Sequence, residues 1–325
     1  KNMIIVQIFK YISCLFLLFF FTSAIALESN WSLGKESQVR LISQTTHNDF
    51  KSELLLGLEY KLQSGWKTYW LSPGDGGFPQ EVSWNNSSNI DSFKIYWPTP
   101  EQFEILEVKS LGYKDSVIFP LKINLQDVSK STLIITDVNY LVCKDICIPG
   151  NAHLELIIPP GIGNFTEHAY IIEKAISELP QESLQLSLLD EISSFAYVDD
   201  DKISIELFAI AKNNFKDPSV FLHTKYGLPV ILPKINLSPD SKKLTAKFIF
   251  DKNLIDDKKI NLQFVIKDNY RNFLFNDLII RKNKETSLNK NYIFILLIAF
   301  IGGLILNGMP CVLPVLSIKI LSILK

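Results

Sequence analysis

STLIITDVNYLVCKDICIPGNAHLELIIP runs from Ser131 to Pro159. Its first part, Ser131 to Cys143, is rich in β-branched and apolar residues at a largely period-two spacing, which predicts a β-strand. AHLELIIP, after the cysteines, predicts another. Between them Cys143 and Cys147 stand with Lys144, Asp145 and Ile146 as spacer. Such a pair serves as a structural staple, as two ligands of a metal site or as a reversible redox switch. The rest of the chain bears on the choice.

The same periodicity recurs upstream, in SELLLGLEYKL (Ser52 to Leu62) and DSVIFPLKINL (Asp115 to Leu125). Gly- and Pro-containing turns punctuate it, among them SPGDGGFP (Ser72 to Pro79) and WPTP (Trp97 to Pro100). Many short strands between such turns predict a β-sandwich over residues 27–160. PPGIG (Pro159 to Gly163) then breaks the pattern, and TEHAYIIEKAISELP carries its apolar residues at helical spacing. A short linker helix is expected within residues 161–182, with Thr166 as N-cap and Pro180 as stop. Strand-like runs resume in KISIELFAIA (Lys202 to Ala211), SVFLHTKY (Ser219 to Tyr226), LTAKFIF (Leu244 to Phe250), INLQFVIKD (Ile260 to Asp268) and NFLFNDLIIRK (Asn272 to Lys282). They predict a second β-sandwich over residues 183–285, with no cysteine and His223 as its histidine, which reads as a structural or docking module.

The two ends of the chain are apolar. Lys1 and Lys10 precede YISCLFLLFFFTSAIA, which closes on the small-x-small site Ala24-Ile25-Ala26. This is the pattern of a secretory signal peptide over residues 1–26; an uncleaved anchor is the alternative, and both place the following chain outside the cytoplasm. Cys14 lies in this apolar core and receives no role. At the other end, NYIFILLIAFIGGLILNGMPCVLPVLSIKILSILK begins at Asn291 and is apolar to about Ile318. That length suits a transmembrane helix within residues 290–325, crossing a hydrocarbon core of about 30 Å. Arg281, Lys282, Lys284 and Lys290 precede it, against Lys319 and Lys325 after it. Loop charge alone would keep the preceding segment in the cytoplasm, but an export signal followed by a large translocated domain outweighs it. A proline-broken span with no loop after it is expected of the N-terminal part of a longer polytopic protein.

Hydrophobic residues make up 47% of the 325 and charged residues 21%, enough for folded cores. The formal net charge of -1 offers no basis for binding nucleic acid.

In an exported protein a close cysteine pair tends to oxidise. A disulfide closing so short a loop restrains little of the unfolded chain, and that favours exchange over stapling. The metal reading has Cys143, Cys147 and His153 to use, a set suited to a soft or borderline ion such as copper. Met3 and Met309, however, lie outside the exported domains. Cys311 adds weight to redox chemistry. It sits in NGMPCVLP, where Pro310 and Pro314 leave the carbonyls of Leu306 and Pro310 without helical donors. In lipid such a break is tolerated only where protein or water satisfies the freed groups. The segment reads as a helix opened around a thiol; a kinked helix with an incidental cysteine is the plain alternative.

NGMPCVLPVLSIKIL resembles the first transmembrane helix of the DsbD family of thiol:disulfide interchange proteins. GWKTYWLSPGDGGFP (Gly65 to Pro79), WPTPEQF (Trp97 to Phe103), LGYKDSVIFPL (Leu111 to Leu121) and NYLVCKDICIPG (Asn139 to Gly150) resemble the N-terminal disulfide-corrector domain of DsbD-like and ScsB-like proteins. The three-residue spacer is similar to the ScsB-type branch; the best-known DsbD domains have a longer one. The resemblance implies immunoglobulin-like sandwiches and a relay across the inner membrane, with residues 27–289 in the periplasm. Cytosolic thioredoxin would reduce a membrane cysteine pair, which would reduce a thioredoxin-like domain. That domain would reduce the N-terminal domain, and this in turn periplasmic thiol proteins: disulfide isomerases, proteins of cytochrome c maturation or copper-resistance proteins.

By the same resemblance Cys143 and Cys147 are the exchange pair, with Cys147 the attacker, and Cys311 is one member of the membrane pair. The cysteines carry the electrons, so neither cofactor nor metal is implied. The loop SPGDGGFP is the candidate cap, with Asp75 and Phe78 facing substrate and Tyr140, Tyr69 and Trp70 lining the same site. Otherwise it is an ordinary turn with Phe78 in the core, and the three aromatic residues are core as such residues in a sandwich usually are. A copper-binding, membrane-anchored periplasmic protein using Cys143 and Cys147 remains the alternative function, and a stapled adhesion-type β-protein a third.

Overall fold

The computed structural model describes residues 26–308 apart from 75, 106, 183–187, 200, 225–227, 256–258, 270, 281 and 284–291. The expected signal segment, Asp75 and Cys311 therefore lie outside the described residues.

The first sandwich is built from β1 (Ser32–Leu33), β2 (Ser37–Ser43), β3 (Glu53–Leu62), β4 (Lys67–Tyr69), β5 (Glu81–Ser83), β6 (Ile90–Ile95), β7 (Glu101–Ile105), β8 (Val108–Lys114), β9 (Ser116–Leu125), β10 (Thr132–Cys143) and β11 (Cys147–Ile158). One sheet has the order β1-β2-β3-β9-β6. The other has β11-β10-β4-β8-β7, with β5 also paired to β10. Period two decides what each strand buries. Leu54, Leu56, Leu58 and Tyr60 of β3 point inward, as do Ile134, Val138, Tyr140 and Val142 of β10 and Ala152, Leu154, Leu156 and Ile158 of β11. These side chains meet in one core between the sheets.

That core fixes the register of the hairpin β10-β11, in which Cys143 pairs with Cys147 at one end and Thr132 with Ile158 at the other. A slip of one residue would turn Val138, Tyr140 and Val142 out to solvent, at about 1.5–3 kcal/mol for each large apolar side chain.

The expected linker helix is shorter than its segment: α1 spans Ala169–Ser177. Its N-cap is His168 rather than Thr166. Thr166 acts two residues earlier, where its hydroxyl accepts the His168 N–H and donates to the Ser43 carbonyl. The helix ends before Pro180, as expected. It also packs on β3 and β9 through Ala169 and Ile172, so it is part of the first sandwich's surface rather than a free spacer.

The second sandwich follows, with β12 (Leu189–Asp199), β13 (Lys202–Ala211), β14 (Pro218–His223), β15 (Lys234–Leu237), β16 (Lys243–Asp251), β17 (Lys259–Asp268) and β18 (Arg271–Ile280). The order β15-β16-β13-β12 forms one sheet and β14-β17-β18 the other. Its core gathers Ile203, Ile205, Leu207, Phe248, Phe264 and Phe273. Phe221 and Val265 instead bury their side chains in the core of the first sandwich, with Val230 and Leu274 packed beside them. The two sandwiches thereby form one compact unit.

A separate unit contains the helix α2, Tyr292–Gly308, apolar throughout its 17 residues except Asn307. Among the described residues no helix is long and apolar enough to cross a membrane. The remainder of the expected span, residues 309–318, lies outside them.

Candidate redox site

Cys143 and Cys147 form a disulfide at the tip of the β10-β11 hairpin, their Cα atoms 4.1 Å apart. Lys144, Asp145 and Ile146 make the exposed loop between them, closed by the Lys144 N–H on the Ile146 carbonyl at 3.0 Å. The two sulfurs are placed unequally. Cys143 is 0% exposed, whereas Cys147 is open to solvent beside Ile146, itself 62% exposed. An incoming thiolate has access to Cys147, and the sulfur that leaves is the buried one.

β4 supplies the surroundings of Cys143. It pairs with β10 so that Lys67 lies opposite Cys143 and Thr68 opposite Val142. Cross-strand partners share a face, so Lys67 and Tyr69 stand on the outer face with Leu141 and Cys143, while Trp66 and Trp70 enter the core. Phe103 and Ile105 of β7 complete a small apolar cluster on this outer face.

The Tyr69 hydroxyl lies 3.0 Å from the Cys143 sulfur, 3.8 Å from that of Cys147 and 3.0 Å from the Gly76 carbonyl. It has one hydrogen to give. A disulfide sulfur is a weak acceptor, so in the oxidised state the proton belongs on Gly76; a thiolate at Cys143 competes for it strongly. Burial raises the Tyr69 pKa from 10.0 to about 12, which keeps this hydroxyl a donor throughout the neutral range.

The loop from Ser72 to Gln80 covers Tyr69. A Cβ on Gly77 would lie 2.3 Å from Tyr69 Cε1, so glycine is required for the loop to lie flat on the ring. Gly77→Ala should therefore displace loop or ring and lower stability by about 1–3 kcal/mol, as overpacked sites do; chemical denaturation checks this. Phe78 is 40% exposed, so it does not fill the core.

Tyr140 does not line the site. It is three residues from Cys143 in one strand and therefore on the opposite face. It is 1% exposed, bonds Ser37 through its hydroxyl at 2.9 Å and meets the Tyr60 ring edge-on at 5.2 Å. His153 is also elsewhere. It pairs across the hairpin with Asp137, its Nδ1 2.7 Å from the carboxylate. That pair lies six positions from the cysteines, about 20 Å along the strands, so the ligand set Cys143, Cys147 and His153 is not assembled. Among the described residues the metal-type cluster is Glu28, Glu167 and His168, but Arg40 already occupies Glu28. Tyr69 is the residue whose importance the strand pattern understated. Its signal is parity with Cys143, and this is readable only once β4 is known to pair with β10.

The first sandwich is thus an antiparallel β-sandwich with a half-exposed disulfide at a hairpin tip. Residues 38–159, most of the first sandwich, match the family model for the N-terminal domain of the thiol:disulfide interchange protein DsbD. A solved structure, the N-terminal periplasmic domain of ScsB from Proteus mirabilis, aligns with a TM-score of 0.63 at 22% identity. The alignment covers 78% of this chain and 99% of that one, more than the first sandwich can supply, so the likeness of fold extends into the second. A chicken T-cell receptor structure aligns at a TM-score of 0.22 and 9% identity, which carries no argument. No curated protein matches the chain.

Proposed function

We propose that this chain is a protein-disulfide reductase that passes electrons by cysteine-pair exchange to periplasmic thiol proteins. The observation that carries the reading is the unequal burial of the two sulfurs. A reductant's thiolate attacks the Cys147 sulfur. The Cys143–Cys147 bond breaks and Cys143 departs as a thiolate. The reductant's second thiol resolves the mixed disulfide and leaves both cysteines reduced, with two electrons and two protons gained. In the second half, the Cys147 thiolate attacks a partner disulfide and expels one partner thiolate. Cys143 then attacks the Cys147 sulfur, releases the reduced partner and restores the disulfide. Every step is a thiolate displacement at sulfur.

In the same reading residues 27–289 lie in the periplasm, the apolar C-terminal segment anchors the chain in the inner membrane, and Cys311 belongs to the membrane pair. The electrons come from cytosolic thioredoxin through that pair and a thioredoxin-like domain. Phe78 faces the partner from the loop over Tyr69.

The test is the reduction potential of the pair, read on the Cys143 and Cys147 peptides of the full chain equilibrated with glutathione in detergent. A value of roughly -120 to -270 mV is expected of an exchange protein. A value below about -300 mV would make the disulfide a staple and end this reading.

A further inference from the structure

We infer that the second β-sandwich braces the exchange site, with His223 the positioning residue that holds the Ser72–Gln80 loop over Tyr69; this rests on the exchange reading above. The second sandwich has no cysteine, yet it touches the loop that covers Tyr69. His223 closes β14, and its Nδ1 lies 2.6 Å from the Ser72 hydroxyl. Its ring also meets Trp70, the residue after Tyr69, at 6.2 Å, beside Phe221 at 6.4 Å.

Two residues further along the loop, Gly74 is pinched between the sandwiches. Its φ is +91°, and a Cβ there would lie 2.7 Å from Val230 Cγ2 and 2.9 Å from the Lys109 carbonyl. The first sandwich holds the remaining points. Leu111 N–H donates to the Pro73 carbonyl at 3.2 Å, Tyr69 to Gly76, and Tyr60 to the Gln80 side chain. The loop is thus pinned at its start by the second sandwich, at its middle by Tyr69 and at its end by Tyr60.

The physical consequence runs through Tyr69. When Cys143 becomes a thiolate it draws the Tyr69 proton from Gly76, and the loop loses its central bond. What then keeps the loop over Tyr69 is its anchorage to His223 and Val230, together with the Leu111 and Tyr60 bonds at either side. Burial lowers the His223 pKa, which favours the neutral imidazole, and its Nδ1 pairs with the Ser72 hydroxyl. A loop so braced leaves Cys147 free to attack while the resolving thiol stays shielded from other reagents.

The experiment reduces the full chain and measures iodoacetamide labelling at each cysteine by mass spectrometry. Ser72→Ala and His223→Ala should each raise the Cys143 rate about three- to tenfold, the effect of one lost hydrogen bond. Cys147, already exposed, should change by less than about twofold in the same variants, since that bond does not cover it. His223→Gln, whose amide oxygen can accept from Ser72, should restore the wild-type rate. The double variant should equal His223→Ala, because the bond that Ser72→Ala removes is already lost there. A wild-type Cys143 rate in Ser72→Ala, or an equal rise at both cysteines, would overturn the brace. Labelling needs no partner, so a staple-like reduction potential would sink the exchange reading without deciding this one.

Discussion

Cys147→Ser should reduce partner turnover to the background rate and leave no covalent adduct. Cys143→Ser should also stop turnover, but should trap the partner as a mixed disulfide, visible on a non-reducing gel and cleared by dithiothreitol. The difference follows from access. Cys147 is the sulfur open to solvent and Cys143 is wholly buried, so on the proposed exchange reading Cys147 starts the exchange and Cys143 finishes it. Neither change should unfold the domain. The disulfide spans a sequence separation of 4. A loop of that size stabilises by only about 2 kcal/mol on chain-entropy grounds, and the hairpin is already paired along its whole length. A reductant must keep its shape in both redox states, and this placement allows it. The opposite pattern, adducts with Cys147→Ser and none with Cys143→Ser, would reverse the assigned roles.

Tyr69→Phe is expected to make the pair harder to reduce. The wild-type hydroxyl is 3.0 Å from the Cys143 sulfur, within reach of the thiolate that reduction creates. A hydrogen bond to a charged group contributes about 1.5–3 kcal/mol. Losing it should lower the reduction potential by about 30–60 mV, at about 30 mV per 1.4 kcal/mol for a two-electron couple. The Cys143 thiol should titrate about one to two units higher. The sign is fixed because the bond favours the reduced, ionised form over the disulfide. Since the Tyr69 pKa is raised to about 12 by burial, the hydroxyl does not ionise between pH 6 and 10, so the pH dependence of the difference should follow Cys143 alone. Tyr140→Phe is the matched control. It deletes a buried hydroxyl that bonds Ser37 on the other face of the sheet and should leave the potential unchanged.

Much of this molecule was legible in the order of its residues. KISIELFAIA is β13 residue for residue, and the runs beginning at Ser52, Asp115 and Ser131 differ from β3, β9 and β10 by a single residue at the start. Alternation is a local property, and each of these strands buries one face. Other strands were not singled out. β6 carries mostly exposed residues and β4 is three residues long, so neither writes a strong pattern. The apolar spacing of TEHAYIIEKAISELP predicts the helix, but its packing on β3 and β9 is a tertiary contact that the spacing does not carry.

The cysteine pair, its spacing and its place at a strand end were local facts. The environment of that pair was not. Tyr69 and Tyr140 looked alike in the sequence; pairing of β4 with β10 put one hydroxyl on the sulfur, and strand parity put the other in the core. His153 lies six residues beyond Cys147, near enough in the chain to suggest a third ligand, yet an extended strand carries it about 20 Å away. His223 lies eighty residues from Cys143 and had no visible role until the second sandwich folded against the Ser72–Gln80 loop. Local order along the chain determined the strands, the hairpin and its disulfide, because backbone periodicity and short-range spacing depend on neighbours alone. Which side chains surround the sulfurs depends on pairings between distant segments, and only the packed structure decides those.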